Sequence, residues 1–155
     1  MRRKDKALSP EIGLEIIDKS TFASLACVDL EGLPYVVNLN MVRVNDCLYF
    51  HSATSGFKVD CFKKNDKVCV SFVDSIKVLE ALYSTRYRSS IVRGTISLVE
   101  DYDEKYLALK ALTMKFCPNF MAGFDKCATS SISHTAIYKI KIEDMTVKGN
   151  DLNEE

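Results

Sequence analysis

Residues 51–60, "HSATSGFKVD", place a histidine, three hydroxyl side chains, a glycine and a lysine within eight positions. They follow the strand-like run "CLYF" and precede the short amphipathic stretch "GFKVDCFKKN". Such a mixture at a strand-to-helix junction has two readings. Ser55 and Gly56 suit the N-cap of a helix, where a hydroxyl satisfies a free backbone N–H. The same residues suit an anion. Free N–H groups and the positive end of the helix dipole favour a phosphate, Ser52 and Ser55 donate hydroxyl bonds, and Lys58 adds a full charge. Gly56, after Ala53 and Thr54, lets the backbone come close to a ligand. His51 ends the strand beside this turn, and histidine is the side chain that exchanges a proton near neutral pH. It is either a packed strand-end residue or a proton carrier. His134, which has no comparable company, reads as structural.

Asn38 and Asn40 alternate with apolar residues in "VVNLNMV". Asparagines on an apolar strand need hydrogen-bond partners, which solvent or a planar, heteroatom-rich ligand would supply. The "YRSS" segment (87–90) is either a polar strand start or a second set of donors to such a ligand. No GxGxxG or GxxxxGK[ST] run is present, which disfavours a Rossmann or P-loop site. The six cysteines, at 27, 47, 61, 69, 117 and 127, include no CxxC pair and no zinc-finger spacing. They read as reduced, structural thiols, and a redox-sensing role has no suggestive pair behind it. The carboxylates are scattered, as on a solvated surface.

These residues must be positioned by a mainly β chain. "SPEIGLEIID" opens a helix, with Ser9 at the N-cap, Pro10 in the first turn, and Ile12, Ile16 and Ile17 on one face. Strands follow over 21–29, 35–44 and 47–53, with turns at "LEGLP" and "ND". A short helix around 56–65 leads to a strand over 67–74, and residues 75–87 are ambiguous. A long strand over 87–100 carries Gly94, a mark of a bulge. A helix over 101–117 sets Tyr106, Leu109, Leu112 and Met114 near one side and stops before Pro118. Residues 119–133 remain unassigned, 134–145 is a last strand, and 148–155 reads as a frayed tail. About six strands in hairpin-like groups, without regular crossovers, predict an antiparallel barrel with peripheral helices.

The chain of 155 residues is expected to form one domain over 1–149, followed by a disordered tail over 150–155. Lys and Arg total 21, as do Asp and Glu, and this balance argues against a nucleic-acid binder. No apolar run approaches a membrane span, so a cytoplasmic protein is expected.

Taken in order, "GLPYVVNLN", "LYFHSATSGFKVDCFKKNDKVCVSF", "YRSSIVRGTISLVE" and "HTAIYKIKIEDMTVKG" resemble the FMN-binding split-barrel superfamily, which includes pyridoxamine 5'-phosphate oxidase. The nearer resemblance is to its 5-nitroimidazole-resistance (Nim) nitroreductase branch. The spacing of His51, Ala53, Gly56 and Lys58 is the most specific part of the match. The resemblance implies an antiparallel split β-barrel, a homodimer and non-covalent FMN. It implies that Ser52, Ser55 and Lys58 hold the phosphate, with Ala53 and Gly56 also among the cofactor-binding positions, and that Asn38, Leu39 and Asn40 run along the isoalloxazine ring. Tyr87 and Ser89 would reach the flavin from the partner subunit, and His51 would lie near it. The implied activity is a flavin-dependent reductase passing electrons to a small-molecule acceptor, with His51 as proton donor; a nicotinamide is one candidate electron donor, and no nicotinamide fingerprint in the sequence identifies it. The alternative of a different class is a non-catalytic flavin or haem carrier. "KGNDLNEE" lacks the Arg-rich C-terminal motif of the pyridoxamine phosphate oxidases, so their own activity is not expected.

Overall fold

The computed structural model of the chain describes residues 2–150. Its strands are β1 (Ala23–Val28), β2 (Pro34–Leu39), β3 (Val42–Val44), β4 (Cys47–Ser52), β5 (Lys67–Leu79), β6 (Ser84–Leu98) and β7 (Ala136–Asn150). They form one antiparallel sheet in the order β2-β1-β5-β6-β7-β4-β3. The helices are α1 (Pro10–Lys19), α2 (Phe57–Lys64), α3 (Tyr102–Phe116) and α4 (Phe124–Ser131). No helix among the described residues is long and apolar enough to cross a membrane.

The strand order forces the sheet to roll. Its edge strands, β2 and β3, are separated in the chain only by Asn40 and Met41. Three Cα steps span at most about 11 Å, whereas the edges of a flat seven-stranded sheet would stand about 29 Å apart. The edges therefore meet at residues 40–41, and the sheet is an antiparallel split barrel. Lys115 of α3 ties this seam, donating from Nζ to the carbonyls of Met41 at 2.9 Å and Ile17 at 3.0 Å. Burial lowers the pKa of this ammonium.

Inward-facing residues fill the barrel. Leu25, Leu48, Phe50, Val70, Phe72 and Ile140 are almost wholly buried, and α1 closes one opening with Ile16 and Ile17. Phe50 stacks on Tyr138 at 5.5 Å, with Phe62 of α2 edge-on to both. Gly13 lets α1 sit against β7, since a Cβ there would lie 2.4 Å from Val147 Cγ2. The bulge expected at Gly94 is present: the β6–β7 register shifts between Arg93 and Gly94, and a Cβ at Gly94 would lie 2.0 Å from the Lys141 carbonyl oxygen.

Strand alternation on β4 sends Leu48, Phe50 and Ser52 inward and Cys47, Tyr49 and His51 outward. The outward face is covered by α3, whose Ala108 and Leu112 bury against Val42, Tyr49 and Ile137 as a second apolar cluster. Met114 lies 58% exposed rather than on this face, because the buried stripe runs through Ala108 and Leu112.

Glu104 of α3 links the layers. Its Oε1 accepts from Tyr49 Oη and Lys139 Nζ, each at 2.8 Å. The Lys139 hydrogen bond leads in holding the carboxyl below its usual value of 4.5. A depressed carboxylate pKa stabilises the fold above about pH 4.5 and loses that contribution as pH falls through the folded-state value. Glu104→Gln is therefore expected to lower stability at neutral pH and to flatten the acid limb of the stability profile. Urea unfolding at a series of pH values checks this; parallel acid limbs for the two proteins would exclude the ion pair as a contributor.

Several expectations change. The predicted strand 35–44 is two strands, because the chain crosses the barrel seam at Asn40 and Met41. Residues 75–87 are the far ends of β5 and β6, paired from Lys77↔Arg86 to Leu79↔Ser84 around a 3-10 turn at Glu80–Leu82. Residues 118–131 form a 3-10 segment and α4. The expected fraying does not begin at Lys148: residues 148–150 pair with Ser89, Arg88 and Tyr87. Asn150 Nδ2 donates to the Thr85 carbonyl at 2.8 Å and to Ser84 Oγ at 3.1 Å. The rest of the expected tail lies outside the described residues.

Candidate cofactor and ligand site

The β4–α2 turn is shaped by its neighbours on both sides. Before it, Ser52 pairs with Ala136 of β7. After it, Phe57 sets its ring edge-on to Tyr35 of β2 at 5.1 Å, while Val59, Cys61 and Phe62 bury α2 in the barrel. Gly56 is the N-cap, with φ 125° and ψ 168°, a backbone conformation that side-chain-bearing residues rarely adopt. Its carbonyl accepts from the Val59 and Asp60 N–H groups at 2.8 and 3.1 Å. No side chain caps the helix, so the hydroxyl cap anticipated at Ser55 is not formed. The N–H groups of Phe57 and Lys58 are thereby left without an intrahelical acceptor.

Three polar side chains belong to this turn. Ser52 is 7% exposed, and its Oγ has no hydrogen-bond partner among the described residues. A buried hydroxyl without a partner is disfavoured by about 1–3 kcal/mol. Lys58 is half-buried and makes no ion pair or hydrogen bond among the described residues. Ser55 is exposed within the turn, as is Ala53. The donor set of a hydroxyl, two helix-start N–H groups and an ammonium fits a phosphate monoester such as the terminus of FMN. Ser90 Oγ is likewise buried and unpaired, inside the barrel where its strand neighbours are Phe72 and Val147, and nothing in the structure explains it.

His51 lies on the other face of β4, exposed and without a hydrogen-bond partner among the described residues. Together with Asn40 it lines a cavity of about 340 Å³ walled by Leu109, Leu112, Thr113 and Phe116 of α3. Asn40 is fixed there by donating from Nδ2 to the Thr21 carbonyl at 2.8 Å. Leu109 and Leu112 are expected on one side of α3 from the sequence, but nothing local marks them as cavity walls, and Ser131 of α4 lies in the stretch 119–133 that the sequence leaves unassigned.

The remaining candidates lie elsewhere in the chain. Asn38 points outward from β2, its Oδ1 accepting from Ser24 Oγ at 2.7 Å, while Leu39 packs against the barrel core. Tyr87 and Ser89 occupy the far end of β6; Lys148 Nζ sits 5.7 Å from the Tyr87 ring centre, and Ser89 Oγ donates to the Lys148 carbonyl at 3.3 Å. His51 pairs with Ile137, and the adjacent Tyr138 pairs with Leu98, nine residues along β6 from Ser89. Measured along the strand, that is about 30 Å. One chain thus brings together His51, Asn40 and, across β4, the Ser52–Lys58 turn, but not Tyr87 or Ser89.

All six cysteines are free. Cys27 and Cys61 face each other inside the barrel, where burial, with Cys61 adding to it, pushes the Cys27 thiol up to about 11. No group of three or more metal-ligating side chains occurs among the described residues.

Solved structures share this architecture. A candidate 5-nitroimidazole antibiotic resistance protein from Bacteroides thetaiotaomicron is 26% identical, with a TM-score of 0.76 over 91% of this chain and 84% of its own. The FAD and heme binding protein of Mycobacterium smegmatis is 23% identical, with a TM-score of 0.83 over 98% of this chain and 76% of its own. The flavocytochrome Anf3 of Azotobacter vinelandii is 20% identical, with a TM-score of 0.82 over 100% of this chain and 75% of its own. No curated protein matches the chain. The family model for pyridoxamine 5'-phosphate oxidase matches residues 10–149, which span the barrel and both faces of β4, and the chain belongs to that family.

Proposed function

We propose that the chain binds FMN as a homodimer and serves as a flavin-dependent reductase of the nitroimidazole-reductase type. The observation that carries this reading is the buried, unpartnered Ser52 hydroxyl beside an uncapped helix start and an unpaired Lys58. FMN, when bound, supplies the redox chemistry. Ser52, Ser55 and Lys58 hold its phosphate, and Gly56 keeps the backbone close. His51, on the outer face of β4, and Asn40, in the β2–β3 link, orient the acceptor, and His51 supplies it with a proton. Electrons come from a nicotinamide donor and pass to a small-molecule acceptor. The likeness to the Bacteroides protein, described as a candidate 5-nitroimidazole antibiotic resistance protein, supports the nitroimidazole type, and FAD binding is named for several proteins of this fold.

A second copy is part of the proposal. Tyr87 and Ser89 are too far from the β4–α2 turn to share a ligand with it in one subunit. The outer face of β1, β2, β5 and β6 leaves Val36 57%, Val73 42% and Ile91 40% exposed, beside Asn38 and Ser24. Covering this face with another subunit buries those side chains and carries Tyr87 and Ser89 to the partner's site. Light scattering should report a dimer. A monomer that still binds FMN tightly would contradict this arrangement.

The rival reading is a flavin or haem carrier, favoured by the unpartnered His51 and by fold relatives described as a flavocytochrome and a heme storage protein. Reconstitution with each cofactor separates the two. The reductase reading expects saturable FMN binding, bleaching of the flavin bands on anaerobic addition of a reduced nicotinamide, and their recovery on adding a nitroaromatic. An intense haem band that His51→Ala abolishes, without stoichiometric flavin, would overturn it.

A further inference from the structure

The outer face of the sheet carries two further cations without a carboxylate partner. Strand alternation sends Ser89, Ile91 and Arg93 of β6 and Thr146 and Lys148 of β7 to this face, and these five line one cleft of about 290 Å³. Lys148 stands opposite Ser89, Thr146 opposite Ile91, and Arg93 two residues further on, opposite Asp144. Arg93 makes no hydrogen bond or ion pair among the described residues, not even with Asp144, and the Lys148 ammonium makes only a cation–π contact to Tyr87. The adjoining cleft, which shares Arg93, holds Glu143 beside Lys67. No carboxylate lines the Arg93–Lys148 cleft. We infer that this cleft binds the diphosphate group of a nucleotide.

Two like charges on one cleft repel each other, and an anion between them removes that cost. The guanidinium offers paired N–H donors to phosphate oxygens, and the ammonium adds a point charge. The Thr146 hydroxyl, without a partner among the described residues, is a further donor, whereas Ser89 Oγ already donates to the Lys148 carbonyl at 3.3 Å. Spacing selects two phosphates over one. Four residues of β6 separate Arg93 from the Ser89–Lys148 pair, about 13 Å of strand. An anionic group at each end satisfies both cations, while a monophosphate held by one leaves the other unpaired. Ile91, 40% exposed between them, offers apolar surface to a sugar or base. The cleft also contains Ser89, which the function proposed above brings to the partner's flavin, so a nicotinamide dinucleotide anchored here is a fitting electron donor. That the ligand is the donor rests on that reading; that the cleft holds a diphosphate does not.

Titration calorimetry of the full chain, flavin-free and FMN-loaded, tests this with ADP, AMP and inorganic pyrophosphate. ADP is expected to bind about tenfold or more tighter than AMP, because it carries the second anionic group, and pyrophosphate should compete with it. Arg93→Ala and Lys148→Ala are each expected to weaken ADP binding about tenfold or more, while keeping the melting transition and FMN titration of the parent. Lys110→Ala, at an exposed lysine of α3, controls for general charge and should bind ADP like the parent. Turnover of the FMN-loaded protein then addresses the donor. The KM for reduced nicotinamide adenine dinucleotide should rise about tenfold in Arg93→Ala with kcat unchanged. The KM for reduced nicotinamide mononucleotide, which has no diphosphate, should not move. Loss of ADP binding in the two variants supports the cleft even where the protein accepts no electrons, and a dinucleotide KM that then stays put overturns the donor assignment alone. Equal affinity for ADP and AMP, unaltered ADP binding in both variants, or displacement of ADP by FMN overturns the diphosphate site itself.

Discussion

Lys58→Ala is expected to weaken FMN binding by about 1–3 kcal/mol, the range for losing a charge-assisted hydrogen bond to a phosphate. At tenfold per 1.4 kcal/mol, that is a loss of roughly 5- to 150-fold in affinity. The fold should be untouched. Lys58 makes no hydrogen bond or ion pair within the described chain, while α2 is anchored by Val59, Cys61 and Phe62 on its buried side. Removing the ammonium therefore deletes a ligand contact and little else. Flavin fluorescence titration at two ionic strengths checks this. The wild-type affinity should fall more steeply with salt than that of the variant, since the lost term is electrostatic. Ser52→Ala offers an independent probe of the same site. It removes a buried hydroxyl that has no partner among the described residues, so the variant should be at least as stable as the parent yet bind FMN less tightly. Unchanged affinity in a well-folded Lys58→Ala protein would place the phosphate elsewhere.

This turn was legible because its information is local: a hydroxyl-rich run, a glycine and a lysine after an apolar strand. The structure refined one detail, moving the N-cap from Ser55 to Gly56, whose positive φ removes the side-chain cap and leaves the helix start open. The barrel was legible for a similar reason, since period-two burial in the first half of β5, at Val68, Val70 and Phe72, follows the apolar residues of the sequence. What escaped depends on contacts distant in the chain. Asn40 and Met41 interrupt no hydrophobic pattern, yet the chain passes there from one sheet edge to the other. The outer ends of β5 and β6 expose Ile76 and Val78 by 66% and 63%, so alternation gives no inside or outside. Their turns use Ser75 at φ 53° and Tyr83 at φ 47°, left-handed positions with no glycine to announce them. Residues 148–150 look like a tail by composition. They are strand because Gly149 fits against Leu8 and Asn150 bonds the Ser84–Thr85 backbone and hydroxyl.

His51→Gln is expected to keep FMN bound and reducible while slowing acceptor turnover by about 10²-fold or more, the usual scale of general acid catalysis. Two-electron reduction of a nitro or quinone group leaves oxygen that must be protonated, and His51 faces the cavity from the outer side of β4 with its ring unengaged. Glutamine retains a hydrogen-bond donor of similar reach but has no proton to release near neutral pH. The substitution therefore separates binding from proton delivery. A merely structural His51 makes a different prediction. Its main-chain pairing with Ile137 does not depend on the side chain, so the variant would fold, bind and turn over like the parent. Single-turnover reoxidation of the reduced protein by a nitroaromatic distinguishes the two. Rates are measured across the neutral pH range, where a histidine side chain can exchange a proton. The parent rate should fall as pH rises, because the protonated ring is the donor. The variant should be slow throughout and flat. Matching rates and matching pH profiles would remove His51 from proton transfer, while the Lys58 and Ser52 measurements would continue to decide the phosphate site on their own.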